Sequence, residues 1–336
     1  MKIIIPMAGL GTRMRPHTLT VKKPLIPIAG KTIVQRLVEE IASVINQPVE
    51  EIAYVIGRFG EEVESELRSI ASKIGAKASI YYQDIAMGTG HAVWCASPSL
   101  NGPLVVAFAD TLFYAGFKFD ASTDGTIWVQ KVKTPESFGV VTLDNNNIIN
   151  GFVEKPKSFV SDLAIIGIYY FNDGLNLQKE LQRLIDENIK GNNEYQLTDA
   201  LENMRRNGMK FIPGEVDEWL DCGNKDATVL TNQRILAHEK ESLTQVENNN
   251  IINSVIIQPC YLGHDVKIEN SVIGPYVSVG RNTVISNCII KNSIIQNNSQ
   301  LNGAFLHNSM IGNDVIIDKR PDDLSVGDFN QIRKNS

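Results

Sequence analysis

Lys2-Ile3-Ile4-Ile5-Pro6-Met7-Ala8-Gly9-Leu10-Gly11-Thr12-Arg13-Met14-Arg15-Pro16 begins as a β-branched run and turns at once into a glycine-rich loop. Three isoleucines ahead of a proline read as a short buried strand. The loop leaving it can aim several backbone N–H groups at phosphate oxygens, because glycine tolerates positive φ and lets a ligand approach the main chain. It is not the dinucleotide fingerprint G-x-G-x-x-G, whose third glycine would fall on Met14, and no helix-favouring stretch follows before Pro16. Gly30-Lys31-Thr32 imitates the end of a Walker A loop, but the glycine that loop needs five residues earlier is Leu25. Arg13, Lys22-Lys23-Pro24 and Lys31 add cationic groups to the same glycine turn, a combination suited to a polyanion. Pro24 is expected to hold Lys23 extended.

Outward from this loop, short β-branched runs alternate with segments of helical period, the pattern of strand-helix-strand units. Strands are expected over residues 52–56, 78–82, 104–109, 126–133, 139–143 and 164–171, and helices over 33–44, 61–73, 90–96, 175–187 and 197–206. The fold class is α/β, a Rossmann-like mixed and mostly parallel sheet, filling a first domain over residues 1–237. A charged amphipathic stretch over 224–244 reads as a connecting helix that Asn248-Asn249-Asn250 breaks, which places a linker at 238–250.

Beyond the linker a repeat takes over. Aliphatic residues recur at Leu262, Ile268, Ile273, Val279, Ile285, Ile290, Ile295, Leu301, Leu306, Ile311 and Ile317, with spacings of 6, 5, 6, 6, 5, 5, 6, 5, 5 and 6. One inward side chain per short rung, with Gly, Asn or Ser between, suits a left-handed parallel β-helix of hexapeptide-like repeats, expected over 251–325. A sandwich of short strands is the competing reading, disfavoured by eleven successive near-hexads. A coil of this kind has open ends and flat faces to cover, so a homo-oligomer formed through the β-helix is expected.

At 336 residues the chain is long enough for about two domains without disulfide or metal staples. Its 32 Lys and Arg against 38 Asp and Glu give a net charge of −6, so there is no basic field for nucleic acid. Cys95, Cys222, Cys260 and Cys288 form no C-x-x-C pair, which disfavours a zinc knuckle, a redox dithiol or a secreted disulfide framework. Three apolar residues before Pro6 do not make a signal peptide, and no apolar run reaches membrane-spanning length. The cytoplasm is the expected compartment, with no membrane partner.

The stretch from Gly9 to Lys31 resembles the signature of the sugar-1-phosphate nucleotidylyltransferases: G-x-G-T-R, a proline, then Lys-Pro and Gly-Lys. Further marks of that family follow in order: Gln83 with Gly88-Thr89-Gly90-His91-Ala92, Asp110 ending a buried strand, Phe138-Gly139-Val140, Glu154-Lys155-Pro156, Gly167-Ile168-Tyr169 and Asp221-Cys222-Gly223. Many members carry a carboxy-terminal left-handed β-helix, so the resemblance spans nearly the whole chain. It implies a displacement in which a sugar-1-phosphate oxygen attacks the α-phosphate of a nucleoside triphosphate and pyrophosphate leaves. With no covalent intermediate, positioning and charge neutralisation supply most of the catalysis.

The resemblance also implies roles. Asp110 and Asp221 would hold Mg²⁺, which takes one or two carboxylates and completes its octahedron with phosphate oxygens and water. Read alone, the two residues are as readily a turn and a helix cap, and the family's Gly-Asp is here Ala109-Asp110. Arg13 would grip the β- and γ-phosphates with the backbone of Ala8, Gly9, Gly11 and Thr12, and Lys23 would neutralise charge near the α-phosphate. Gln83, with Gly88 and Thr89, would read the base through a donor and an acceptor. Lys155 would hold the sugar phosphate and Glu154 the hydroxyls, with Tyr169 beside them and Gly139 and Gly167 permitting close approach. The wording Gly88 to Val93 is similar to uridylyl- and thymidylyltransferases, which favours UTP or dTTP, and glucose-1-phosphate is the commonest sugar among such relatives. Three alternatives stand beside this: a mannose-1-phosphate guanylyltransferase, an acyltransferase on the β-helix using His264 or His307, and a non-catalytic regulatory relative.

Overall fold

β1 (Lys2–Pro6) is the strand expected of the opening run, and Ile3, Ile4 and Ile5 have no exposed surface. After it come β2 (Pro27–Ile28) and β3 (Lys31–Thr32), α1 (Ile33–Ile45), β4 (Glu51–Ile56), α2 (Glu61–Lys73), β5 (Lys77–Tyr82) and α3 (Thr89–Trp94). Next are β6 (Leu104–Ala107), β7 (Thr111–Tyr114), β8 (Gly125–Lys131), β9 (Gly139–Leu143), β10 (Ile149–Glu154) and β11 (Leu163–Phe171). Helices α4 (Gly174–Asp186) and α5 (Leu197–Arg206), strands β12 (Phe211–Gly214) and β13 (Glu218–Asp221), and α6 (Lys225–His238) follow. The computed structural model describes residues 1–45, 47–115, 123–240 and 250–320, and the chain divides into two compact units at Thr231 and Asn232.

In the first unit β6, β1, β4 and β5 lie side by side and parallel, with Lys2 opposite both Leu104 and Glu51. β11 runs antiparallel to β6 and joins β8, β9, β10 and β12 into one nine-stranded mixed sheet. α1 buries Ile33, Val34, Leu37, Val38, Ile41 and Ile45, the stripe its 3.6-residue period requires. A second, two-stranded sheet pairs β13 antiparallel with β7 and sets Asp221 opposite Thr111. Among the described residues no helix is long and apolar enough to cross a membrane.

Several elements end earlier than the sequence expectation. The buried strand ends at Ala107; the Phe108 N–H still bonds the Gly167 carbonyl at 2.9 Å, in register with the antiparallel β6–β11 pair, and Asp110 lies in the turn between β6 and β7 rather than ending the strand. β8 stops at Lys131, two residues short of its expected end, and α6 at His238. Most of the linker expected at 238–250 and the last residues of the coil expected to 325 lie outside the described residues.

In the second unit the strands between Asn250 and Asp318 stack as parallel coils forming three sheets. One stack holds Ile251, Ile268, Ile285, Leu301 and Ile317; the others hold Ile256, Ile273, Ile290 and Leu306, and Leu262, Val279, Ile295 and Ile311. All eleven of the recurring aliphatics fall in these inward columns. A register partner lies 17 residues on in the early coils and 16 in the later ones, which is why the spacing mixes fives with sixes. The corners are left-handed: Asp265, Asn282, Asn298 and Asp314 at one, with φ between 56° and 58°, and Asn253, Asn270 and Asn287 at another. Asn and Asp tolerate that conformation better than other side-chain-bearing residues, hence the polar letters between the aliphatics.

Candidate active site

The site grows from the ends of β1, β5, β6 and β13. Met7 N–H bonds the Val55 carbonyl at 2.8 Å, and the chain then swings out through Gly9. Gly11 has φ +61°, its carbonyl accepts from Thr18 Oγ1 at 2.8 Å, and a Cβ there would stand 3.0 Å from Lys23 Cβ. Thr12–Met14 is a 3₁₀ turn pinned by buried Met14, which leaves Arg13 exposed.

Lys23 is not extended as expected. It opens a second 3₁₀ turn, Lys23–Leu25, in which Leu25 N–H bonds Lys22 and Ile26 N–H bonds Lys23; Pro24 fits because the turn asks no N–H of it, and the extended residue is Lys22. The turn buries the Lys23 side chain and delivers its Nζ to Asp110 Oδ2 at 2.8 Å. Cys222 N–H bonds the Asp110 carbonyl at 2.9 Å, which brings the turn after β6 against the end of β13. Gly223 N–H donates to Asp221 Oδ1 at 2.8 Å, and a Cβ on Gly223 would lie 2.9 Å from that oxygen and 3.3 Å from the Arg13 guanidinium. The Asp221 pKa is raised, first by burial and then by the charge of Asp110, while Lys23 and Arg13 pull it back. Residues 13, 23, 110 and 221 thus meet at one place.

Beside them lies a cavity of about 350 Å³ lined by Ala8, Gly9, Gly11, Thr12, Arg13, Lys23, Gln83, Gly88, Thr89 and Asp110, together with Phe108, Glu194 and Gly223. Gly88 has φ +110°, and a Cβ there would strike the Tyr195 carbonyl at 2.5 Å. Thr89 Oγ1 donates to Gln196 Oε1 at 3.1 Å and accepts from Leu197 N–H at 3.0 Å. Both residues therefore tie the loop to the start of α5 while also lining the cavity.

The remaining residues form a second cluster. Gly139 faces Glu154 across β9 and β10, and Glu154 Oε2 accepts from Thr198 Oγ1 at 3.0 Å. Tyr169 is buried, and its hydroxyl is pushed to high pKa by that burial and then by Glu154. Gly167 has φ +88° and adjoins cavity-lining Phe108. Lys155 is exposed, with φ 42° and its N–H on the Phe138 carbonyl at 3.0 Å. None of these five lines the cavity itself. Sequence reasoning missed Phe108 and Glu194 in the cavity wall, and also, outside that wall, Trp219, two residues before Asp221, whose buried indole N–H has no partner among the described residues and whose ring meets Phe138 edge-on at 5.4 Å. Had β13 been read as a strand, its alternation would have put Trp219 and Asp221 on one face.

Residues 2–238 match the family model described as Nucleotidyl transferase, and residues 241–303 the one described as GlmU-like, C-terminal hexapeptide. The chain belongs to the nucleotidyl transferase family, and its second unit is a left-handed β-helix of hexapeptide repeats. Among particular relatives, glucose-1-phosphate thymidylyltransferase of Streptomyces antibioticus is 27% identical over 311 residues, which are 85% of this chain and 84% of that protein. The bifunctional protein GlmU of Methanococcus maripaludis is 31% identical over 262 residues, 77% of this chain and 60% of that one. A crystal structure of UDP-glucose pyrophosphorylase complexed with UDP-glucose matches at 25% identity with a TM-score of 0.57, covering 71% of this chain and 98% of its own. The relatives are sugar-1-phosphate nucleotidyltransferases, and this chain is a nucleotidyltransferase.

Proposed function

We propose that the enzyme joins UTP or dTTP to a hexose-1-phosphate, glucose-1-phosphate first among them, forming a nucleoside-diphosphate sugar and pyrophosphate. The observation that carries this reading is the meeting of Arg13, Lys23, Asp110 and Asp221 beside a cavity walled by the glycine loop. Arg13 grips the terminal phosphates with the loop backbone of Ala8, Gly9, Gly11 and Thr12, and Lys23 sits where the α-phosphate gains charge. Lys155 takes the sugar phosphate and Glu154 the sugar hydroxyls, with Tyr169 behind Glu154, Gly139 and Gly167 giving close approach, and Trp219 offering an N–H that has no partner among the described residues. Gln83, Gly88 and Thr89 take the base.

A divalent cation fits the residues present. Two carboxylates adjoin, and Asp110 pushes the Asp221 pKa up even with two cationic side chains beside them. Asp110 and Asp221 would hold Mg²⁺, which when bound would screen the triphosphate and polarise its phosphoryl oxygens.

The catalytic work is assigned to residues 1–237 and assembly to the coil of 251–325, with 238–250 between them. On one coil face Val255, Val272, Ile289 and Phe305 stand in register, and Val255, Ile289 and Phe305 are 56%, 51% and 73% exposed. A second copy covering that column gives the homo-oligomer, and Phe305→Glu should return it to monomer in light scattering. The compartment is proposed to be the cytoplasm, in keeping with four free cysteines.

The test is a matrix of UTP, dTTP, GTP, CTP and ATP against glucose-, mannose- and N-acetylglucosamine-1-phosphate, read as Mg²⁺-dependent pyrophosphate release. Turnover confined to GTP with mannose-1-phosphate would replace the pyrimidine assignment by the guanylyltransferase reading, and no turnover with any pair would end both. Thiol release from acetyl-CoA with a hexosamine-1-phosphate would add acyl transfer at exposed His264 or His307.

A further inference from the structure

We propose that His91 is the positioning residue for base selection: it accepts a hydrogen bond from Gln83 and so holds that amide with its oxygen as the one group left for the nucleotide. This rests on the reading above in which Gln83 meets the base.

Gln83 Nε2 lies 3.3 Å from the Gly88 carbonyl and 3.0 Å from His91 Nδ1. A carbonyl oxygen only accepts, so the amide atom facing Gly88 has to be the NH₂ group. Its second hydrogen then meets His91 Nδ1, which has to present a lone pair, and the ring proton sits on Nε2. The surroundings favour that neutral form. His91 is 7% exposed, and its ring lies 5.9 Å from that of Trp94 and 6.4 Å from that of Tyr195. Burial lowers its pKa, and the thiol of Cys95 lies 3.9 and 4.0 Å from the two ring nitrogens. The Gly88 carbonyl is fixed in turn, since Tyr195 N–H bonds Met87 at 2.8 Å and Gly90 N–H bonds Tyr195 at 2.7 Å.

Both amide hydrogens of Gln83 are thus engaged, and Oε1 has no partner among the described residues. The sequence allowed Gln83 a donor and an acceptor; the structure leaves it an acceptor. Uracil and thymine present N3–H to such an oxygen, whereas cytosine presents the N3 lone pair and is repelled. His91 therefore acts at one remove, by forbidding the amide flip that would admit cytosine.

The experiment compares kcat and KM for UTP and CTP at saturating sugar-1-phosphate in the wild type and in His91→Phe, His91→Asn and Gln83→Ala. Phenylalanine keeps the ring stack and lacks the lone pair; the Asn Oδ1 can accept near where Nδ1 stood. His91→Phe should lower the UTP over CTP preference in kcat/KM by roughly tenfold or more, through the KM of the triphosphates rather than kcat, and His91→Asn should restore it to within about threefold. If the phenylalanine variant does not fold, His91→Leu takes its place. An unchanged preference in the acceptor-free variant, with a lowered one in Gln83→Ala, overturns the role of His91 and leaves Gln83 as the base reader. An unchanged preference in Gln83→Ala overturns the base reading itself, and the role of His91 with it. Equal loss in the Phe and Asn variants also overturns the proposal, because it would show a packing effect.

Discussion

The residues of the first unit that bear on chemistry occur once each and come from far apart, whereas those of the β-helix recur at every sixteenth or seventeenth position and meet near neighbours. Asp110 reaches Lys23 from 87 positions away, but Ile285 sits between Ile268 and Leu301, one coil back and one coil on. The difference shows where each kind of information lies. A repeat stores fold, since one side chain per rung suffices to define a coil. A site stores chemistry where periodicity stops, in the loop after β1, the turn after β6 and the end of β13. The first unit should therefore lose activity to a change of charge that leaves its volume alone, and the coil should lose stability to a change of volume that leaves its charge alone.

The largest expected effect tests the first half of that statement. Asp110→Asn removes one charge from beside Asp221 and Lys23 without changing shape, and turnover should fall by about a thousandfold or more. Lys23 keeps Asp221 nearby, so far-UV circular dichroism should be unchanged and the melting temperature should move by only a few degrees. A chelator should give the same loss in the wild type, reversed by Mg²⁺. Near-normal turnover in Asp110→Asn would place the metal ligand elsewhere.

The next effect belongs to the coil. Ile285 has no exposed surface, and Ile285→Ala should destabilise the β-helix by about 2–5 kcal/mol through lost burial and the cavity left behind. Amide exchange of the coil strands should rise while pyrophosphate release per folded enzyme stays as it was. Loss of turnover in proportion to coil unfolding would erase the contrast, because the coil would then be supporting the site.

The same contrast governs what the sequence disclosed. The parallel strands and their helices were legible because runs such as Ile3-Ile4-Ile5 and stripes such as Val34, Leu37, Val38 and Ile41 carry a period, and so were the rungs of the coil. Strands β7, β12 and β13 were not, having four residues each and a pairing set by distant partners. Among candidate site residues, those in the glycine loop and the two aspartates stand out as motifs. Lys23 was found but given the wrong backbone, because the bias before proline yields to the hydrogen bonds that close its turn. Phe108 and Glu194 had no local signal; folding alone brings them to the cavity wall. The orientation of the Gln83 amide was hidden for a similar reason, since it is decided by the Gly88 carbonyl and the His91 ring rather than by glutamine.

The smallest effect is at a coil corner, where two explanations of the same asparagine can be separated. Asn298 has φ 58°, donates from Nδ2 to Asp314 Oδ1 at 3.0 Å and accepts on Oδ1 from Asn282 at 3.2 Å. Its value could lie in tolerating the left-handed turn or in the ladder of side-chain bonds. Asn298→Ala removes both, whereas Asn298→Gly removes the ladder alone, at the cost of a freer unfolded chain. The side chains are exposed, so the ladder bonds compete with water and each contributes little, while the left-handed conformation costs alanine about 1–2 kcal/mol. Coil amide exchange should therefore report a loss of about 1–2 kcal/mol for alanine and roughly half that for glycine. Equal losses would shift the weight to the ladder. A corner asparagine would then depend on the particular side chains above and below it, as Lys23 depends on Asp110, and repetition alone would no longer account for the coil.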